Sequence, residues 1–99
     1  MPVTLCVLLW ARAGAEPGII EYEDAVLQLV PAHGGRVRER VRTDGADGAP
    51  FEIHVLEFPS EDARDAYIQD PQRLAMADSR ERAIERTAVY RVDLVGGAG

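Results

Sequence analysis

The segment Val3–Ala11, Val-Thr-Leu-Cys-Val-Leu-Leu-Trp-Ala, carries no charge and is rich in β-branched and aliphatic side chains. Such a run reads as a strand, and it is far shorter than the ~20 residues a membrane-spanning helix needs. Its odd positions, Val3, Leu5, Val7 and Leu9, are all aliphatic. Its even positions, Thr4, Cys6, Leu8 and Trp10, are largely apolar too. Side chains alternate between the two faces of a sheet, so a strand apolar on both sides belongs at the centre of a sheet that is covered on both.

The remaining pattern supplies one of those covers. Pro17 suits the first turn of a helix, and Ile19, Tyr22, Val26, Leu29 and Val30 follow at helical spacing. Glu21, Glu23 and Asp24 are placed on the opposite, solvent side of that helix, near its positive end. Pro31 and Gly34-Gly35 end it. From Arg36 to Thr43 the arginines 36, 38, 40 and 42 alternate with Val37, Glu39 and Val41, the period of a strand, and so much charge suits an edge. Asp44-Gly45-Ala46-Asp47-Gly48 is a turn cluster, and Phe51–Phe58 is the returning strand of a hairpin. Ser60 caps a second helix, with Glu61 and Asp62 in its first turn. Asp70-Pro71 starts a further helical segment whose buried side is read as Leu74, Ala77 and Ile84. Val89–Val95 is the last strand.

The order β-α-β-β-α-β predicts an α+β fold, the ferredoxin-like sandwich, with an antiparallel sheet in the order 4-1-3-2. Its two central strands, the first and third, are read as parallel. The domain is expected to span residues 1–95, with 96–99 as a flexible tail. Helices cover the face carrying Val3, Leu5, Val7 and Leu9, to which Ile53, Val55, Tyr90, Val92 and Leu94 are assigned. The other face then holds Cys6, Leu8, Trp10, His54, Leu56 and Phe58. Monomers avoid so large an apolar patch, so a second copy of the chain is the expected cover, a homodimer through the second sheet face.

Composition narrows the function. With seventeen acidic and eleven basic residues the net charge is −6, the opposite of what a nucleic-acid surface requires. Every basic residue is an arginine, the mark of a GC-rich genome and of nothing functional. A single cysteine, Cys6, cannot form an intrachain disulfide, and the N-terminus lacks the basic region of a signal peptide. The expected location is the cytoplasm, with no membrane partner.

Three segments carry a family likeness: Val30-Pro31-Ala32-His33-Gly34-Gly35-Arg36, then Leu56-Glu57-Phe58-Pro59-Ser60-Glu61-Asp62-Ala63, then Ala66-Tyr67 followed by Asp70-Pro71. In this order and spacing they resemble the small bacterial family DUF1330, of the dimeric α/β-barrel superfamily, over roughly residues 3 to 95. The chain departs from that pattern in Tyr67-Ile68-Gln69, where many relatives have a Trp-Tyr pair, and in a longer Asp/Gly-rich hairpin. The superfamily includes cofactor-free quinone-forming monooxygenases, muconolactone isomerases, aldoxime dehydratases and haem enzymes, so the resemblance implies a fold more firmly than a reaction.

His33 is the leading candidate acid or base, since histidine changes charge near neutral pH and the family motif includes it. The competing reading is a cap on the helix C-terminus. Tyr67 joins it because the resemblance places a side chain of this helix near a cleft. Trp10, Tyr22, His54 and Phe58 are the candidate substrate-binding residues, with packing as the alternative for the aromatics and a hydrogen-bonded interface histidine as the alternative for His54. Cys6 reads as a small buried hydrophobe, and the arginine row as a solvated edge or an acidic-ligand site. No zinc spacing, phosphate loop or nucleophile elbow occurs, so no metal and no cofactor are expected. Two functions fit. One is a metal-free enzyme that oxidises, isomerises or dehydrates an apolar or aromatic substrate, with secondary metabolism as one setting. It requires an enclosed pocket lined by His33. The other is a non-catalytic homodimer binding a small ligand or a partner protein.

Overall fold

The computed structural model describes residues 1–96, so the expected tail at 96–99 lies outside the described residues apart from Gly96. The elements are β1 (Val3–Ala11), α1 (Glu16–Val26), β2 (Arg36–Arg42), β3 (Glu52–Phe58), α2 (Glu61–Ile68), α3 (Pro71–Leu74), α4 (Ala77–Ala83) and β4 (Ile84–Arg91). Short 3-10 turns at Leu27–Leu29 and Pro31–His33 link α1 to β2. The sheet order is β2-β3-β1-β4, which is 4-1-3-2 read from its other edge. This is the ferredoxin-like arrangement expected.

The central pair is a correction. β1 and β3 run antiparallel, as do β1 with β4 and β2 with β3. The crossover through α1 leads from β1 to β2, two positions away. The hairpin then turns β3 back between them, so a helix-linked pair and a hairpin partner cannot share one direction.

Local signals act where expected. Ser60 Oγ accepts from the Ala63 amide at 3.1 Å, and Asp70 Oδ1 accepts from the Gln72 amide at 2.8 Å, each satisfying a free N–H at a helix start. Gly34 closes the turn after His33 at φ +75°, a conformation glycine adopts without strain. At Gly35 a side chain would meet the Glu57 carbonyl at 2.7 Å and the Phe58 ring at 2.8 Å, so this loop lies directly on β3. The segment after Asp70 differs from its reading: Leu74 and Ala77 are exposed, and buried Ile84 begins β4 instead of ending a helix. The last strand accordingly starts five residues before the expected Val89.

The register settles which side chains share a face, and corrects two strands. Val3, Leu5, Val7 and Leu9 lie opposite Phe58, Leu56, His54 and Glu52 of β3. These rows form the helix-covered face, with Thr87 and Val89 from β4. His54, Leu56 and Phe58 are therefore in the core and not on the open face, and all three are buried. Ile53, Val55 and Tyr90 lie on the open face with Cys6, Leu8 and Trp10. A shift of one residue in phase exchanges the faces of a whole strand. β3 alternates apolar side chains on both sides, so hydrophobicity alone left its phase open.

Candidate functional site

The helix-covered face does not close into a solid core. A cavity of about 130 Å³ lies between sheet and helices. Its floor is aliphatic, including Leu5, Val7 and Leu56, and Tyr22, Glu23, His54, Tyr67, Arg73 and Arg80 bring polar groups to it. A larger groove of about 450 Å³ runs between α1 and α4, but it is walled mainly by small and exposed residues such as Ala15, Gly18 and Ser79. The smaller cavity is the one that joins apolar surface to convergent titratable groups, the character of a ligand site.

Glu23 enters it from α1. Ile19, Tyr22, Glu23 and Val26 occupy positions i, i+3, i+4 and i+7, a single helical face, and all are buried. The placement of Glu23 on the solvent side of that helix is thus corrected: Ile19 and Val26 fix the inward face, and Glu23 falls between them. Glu52 and His54 reach the same layer from β3, two residues apart and hence on one side. Both are almost wholly inaccessible, at 0% and 1% exposure.

The arginine row completes the cluster through an irregularity. The pairing of β2 with β3 shifts between Val37 and Glu39, a bulge that moves the later arginines to the other face. Arg36 and Arg38 therefore pair with Glu57, at 2.8 and 3.2 Å. Arg40 turns toward the helices, where its Nε donates to Glu52 Oε1 at 2.7 Å and its Nη1 to Asp24 at 2.7 Å. Arg42 Nε donates to Glu52 Oε2 at 2.8 Å. The expected edge position of β2 holds, but Arg40 does more than face water.

These contacts separate the two buried glutamates. Burial pushes the Glu52 carboxyl up, but hydrogen bonds from His54, Arg40 and Arg42 outweigh it and hold it at about 2. Glu52 is then ionised at neutral pH and can only accept, so His54 donates to it through Nε2 at 2.6 Å. That contact orients the ring and leaves Nδ1 facing Glu23 Oε1, 3.9 Å away and beyond direct hydrogen-bond reach. Glu23 lacks any comparable set of donors. Burial dominates there and raises its carboxyl to about 7, against the pull of His54 and the arginines. Tyr22 and Tyr67 are likewise raised, first by burial, so both hydroxyls keep their protons near neutral pH.

Of the candidate binding residues Tyr22, His54 and Phe58 line this cavity, and so does Tyr67, the second catalytic candidate. His33 and Trp10 do not, so the pocket lined by His33 that the enzyme reading called for is not this one. His33 Nε2 pairs with Asp70 Oδ2 at 2.7 Å, tying the turn after α1 to the start of α3. Its ring meets the edge of Tyr67 with centroids 6.1 Å apart. Trp10 is on the open face, where Arg86 stacks over its ring at 4.3 Å and its Nε1 donates to the Gly48 carbonyl at 2.8 Å. Glu23 and Glu52 were not singled out from the sequence, and periodicity was the signal that could have found them. Among the described residues no group of three or more His, Cys, Asp or Glu is placed to hold a metal ion.

The fold is a ferredoxin-like α+β domain with a small cavity under its helices. Solved structures of the same fold lie close to it. A protein of unknown function from Rhodopseudomonas palustris superposes with a TM-score of 0.77 at 19% identity, over 95% of this chain and 82% of that one. A Mycobacterium tuberculosis protein matches over the full length of both chains, with a TM-score of 0.70 and 22% identity. A Bacteroides fragilis protein described as dimeric, of unknown function and ferredoxin-like fold, covers 94% of this chain and 96% of its own at a TM-score of 0.65 and 14% identity. No protein-family model matches the chain, and no curated protein does. No helix among the described residues is long and apolar enough to cross a membrane.

Proposed function

We propose that the chain is a small-molecule enzyme that moves a proton on a single-ring, largely apolar substrate bound between sheet and helices. The observation that carries this reading is the pairing in one cavity of a carboxyl at about 7 with a histidine oriented by a second, ionised glutamate. A general base works best when its pKa lies near the working pH, and burial is the usual means of bringing a glutamate there. Size supports a single ring, because an apolar cavity of about 150 Å³ is known to hold benzene.

In the reaction, the Glu23 carboxylate takes a proton from a carbon next to a carbonyl. The C–H electron pair moves into the carbonyl as an enolate, whose oxygen accepts hydrogen bonds from the Tyr22 and Tyr67 hydroxyls. Where the substrate carries a β,γ-double bond the anion is a dienolate, and return of the proton to its γ-carbon moves the double bond into conjugation and restores both the substrate's charge and Glu23. The balance needs no second reactant, so isomerisation is the favoured net reaction. His54, oriented by Glu52, faces Glu23 with Nδ1 at 3.9 Å and acts on that carboxyl through its electrostatics, with no direct hydrogen bond. In this reading His33 is a positioning residue that holds the α1–β2 turn against α3. The likeness to DUF1330 agrees with such a site, and the apolar open face fits pairing with a second copy.

Incubating the protein in D₂O with a panel of single-ring ketones and lactones tests the reading by proton NMR. Exchange of the α-proton should run faster than in buffer and be lost in Glu23→Gln. Ligand-induced thermal stabilisation with no catalysed exchange anywhere in the panel would contradict it and favour the non-catalytic binding protein.

A further inference from the structure

The arginines that line the cavity distinguish which small molecules fit it. Of the half-buried arginines, Arg40 is paired with Glu52 and Asp24, and Arg64 with Asp65. Arg73 and Arg80 are also half-buried, yet among the described residues neither has a carboxylate within ion-pair distance. The chain has acids to spare, with a net charge of −6. Arg80 is anchored on β4, its Nη2 donating to Thr87 Oγ1 at 2.9 Å. Arg73 donates through Nη1 to the Ile68 carbonyl at 3.3 Å and lies 5.3 Å from the centre of the Tyr67 ring. Its Nε is a buried donor with no hydrogen-bond partner among the described residues. Leaving such a donor unmatched is costly, and guanidinium groups bind planar carboxylates especially well.

We propose that this cavity takes an organic anion, a single ring or compact branched chain bearing one carboxylate, with the carboxylate held by Arg73 and Arg80 and the hydrocarbon body on Leu5, Val7 and Leu56. The volume of about 130 Å³ sets the upper size. The overall negative charge repels anions at long range, so selectivity for them has to arise inside the cavity. From the functional reading the proposal takes only that this cavity is a ligand site, and it adds the chemical class of the ligand. The two arginines lie in and near α3 and α4, the segment whose helices expose Leu74 and Ala77. That segment contributes charge to the cavity in place of an apolar wall.

Calorimetric or NMR titration of the full chain with benzoate, with the neutral isostere benzamide and with sulfate tests it. Benzoate should bind ~10-fold or more tightly than benzamide, the size of a charged hydrogen bond. Sulfate, which lacks the ring, should bind more weakly than benzoate. Arg73→Met and Arg80→Met should each remove most of the preference for benzoate while leaving benzamide binding unchanged. Benzamide bound as tightly as benzoate by the parent protein would overturn the proposal, and that comparison needs no variant to fold. Benzoate affinity unaltered in folded Arg73→Met and Arg80→Met would overturn it as well. Selective benzoate binding without proton exchange in the ketone and lactone panel would retire the catalytic reading and leave the anion site standing.

Discussion

The two faces of this sheet reverse the usual disposition of polar and apolar groups. The face under the helices, nominally the core, contains Glu52, His54 and, from α1, Glu23, all nearly inaccessible. The open face presents Leu8, Trp10, Ile53, Val55 and Tyr90, with Tyr90 more than half exposed. An exposed leucine or a buried aliphatic says little about a protein, whereas buried charge and a contiguous bare apolar face both call for an explanation. In the proposed reading the first marks a place for chemistry and the second a place for a partner. The distinction also applies to the two histidines. Each contacts a carboxylate at similar distance, 2.7 Å for His33 and 2.6 Å for His54. Of the two, His54 lines the cavity under the helices and His33 does not.

If that contrast is right, the largest effects come from the covered face. Glu23→Gln should reduce proton exchange on a turned-over substrate by ~10²–10⁴-fold, the usual contribution of a general acid or base. His33→Ala should change it little, and an equal loss in both variants would erase the contrast. On stability, Glu52→Ala should destabilise the fold by ~3–5 kcal/mol in denaturant unfolding, since it removes the acceptor of His54 Nε2 and of the Arg40 and Arg42 Nε atoms. Glu23→Gln should act in the opposite direction at alkaline pH. The folded carboxyl is raised from 4.5 to about 7, so folding is penalised progressively as pH rises through that interval. Removing the charge should stabilise the protein at pH 8 by about 3 kcal/mol and leave it nearly unchanged at pH 4. Glu52 has the reverse sign: its depressed carboxyl stabilises the fold above pH 4.5, and that contribution is lost as pH falls toward 2.

The open face is probed by oligomeric state. The parent should sediment as a dimer at micromolar concentration, and Trp10→Glu should shift it toward the 10.8 kDa chain by burying a charge without a partner. A parent that is already monomeric would separate the apolar face from any self-association. The smallest effect is expected at the α1–β2 turn, where His33→Ala should lower Tm by about 5 °C or less, a shift of roughly one kcal/mol or under.

Much of the architecture was legible because it rests on local and strongly patterned signals. The two-sided apolar run of β1, the caps at Ser60 and Asp70 and the charged edge strand all act within a few residues of themselves. The site was less legible for a physical reason. Its members become neighbours only through phase: Glu23 through the helical face it shares with Ile19 and Val26, Glu52 and His54 through the register of β3, and Arg40 through a bulge in β2. Assigning the most apolar rows to the core placed Ile53 and Val55 inside and His54 outside, the reverse of what the pairing with β1 gives. A buried ionic cluster defeats any reading that equates interior with apolar. His33 stood out in the sequence because it sits in a motif, yet its ring is used to fasten two turns together.

The direct test of the central claim is a titration of the glutamate carboxyls by carbon-13 NMR in the intact protein. The account predicts that the Glu23 carboxyl titrates with a midpoint at about 7 while Glu52 stays ionised down to about 2. A Glu23 midpoint in the ordinary glutamate range, near its unperturbed 4.5, would mean that water reaches that carboxyl freely and that the cavity holds no base tuned for neutral pH.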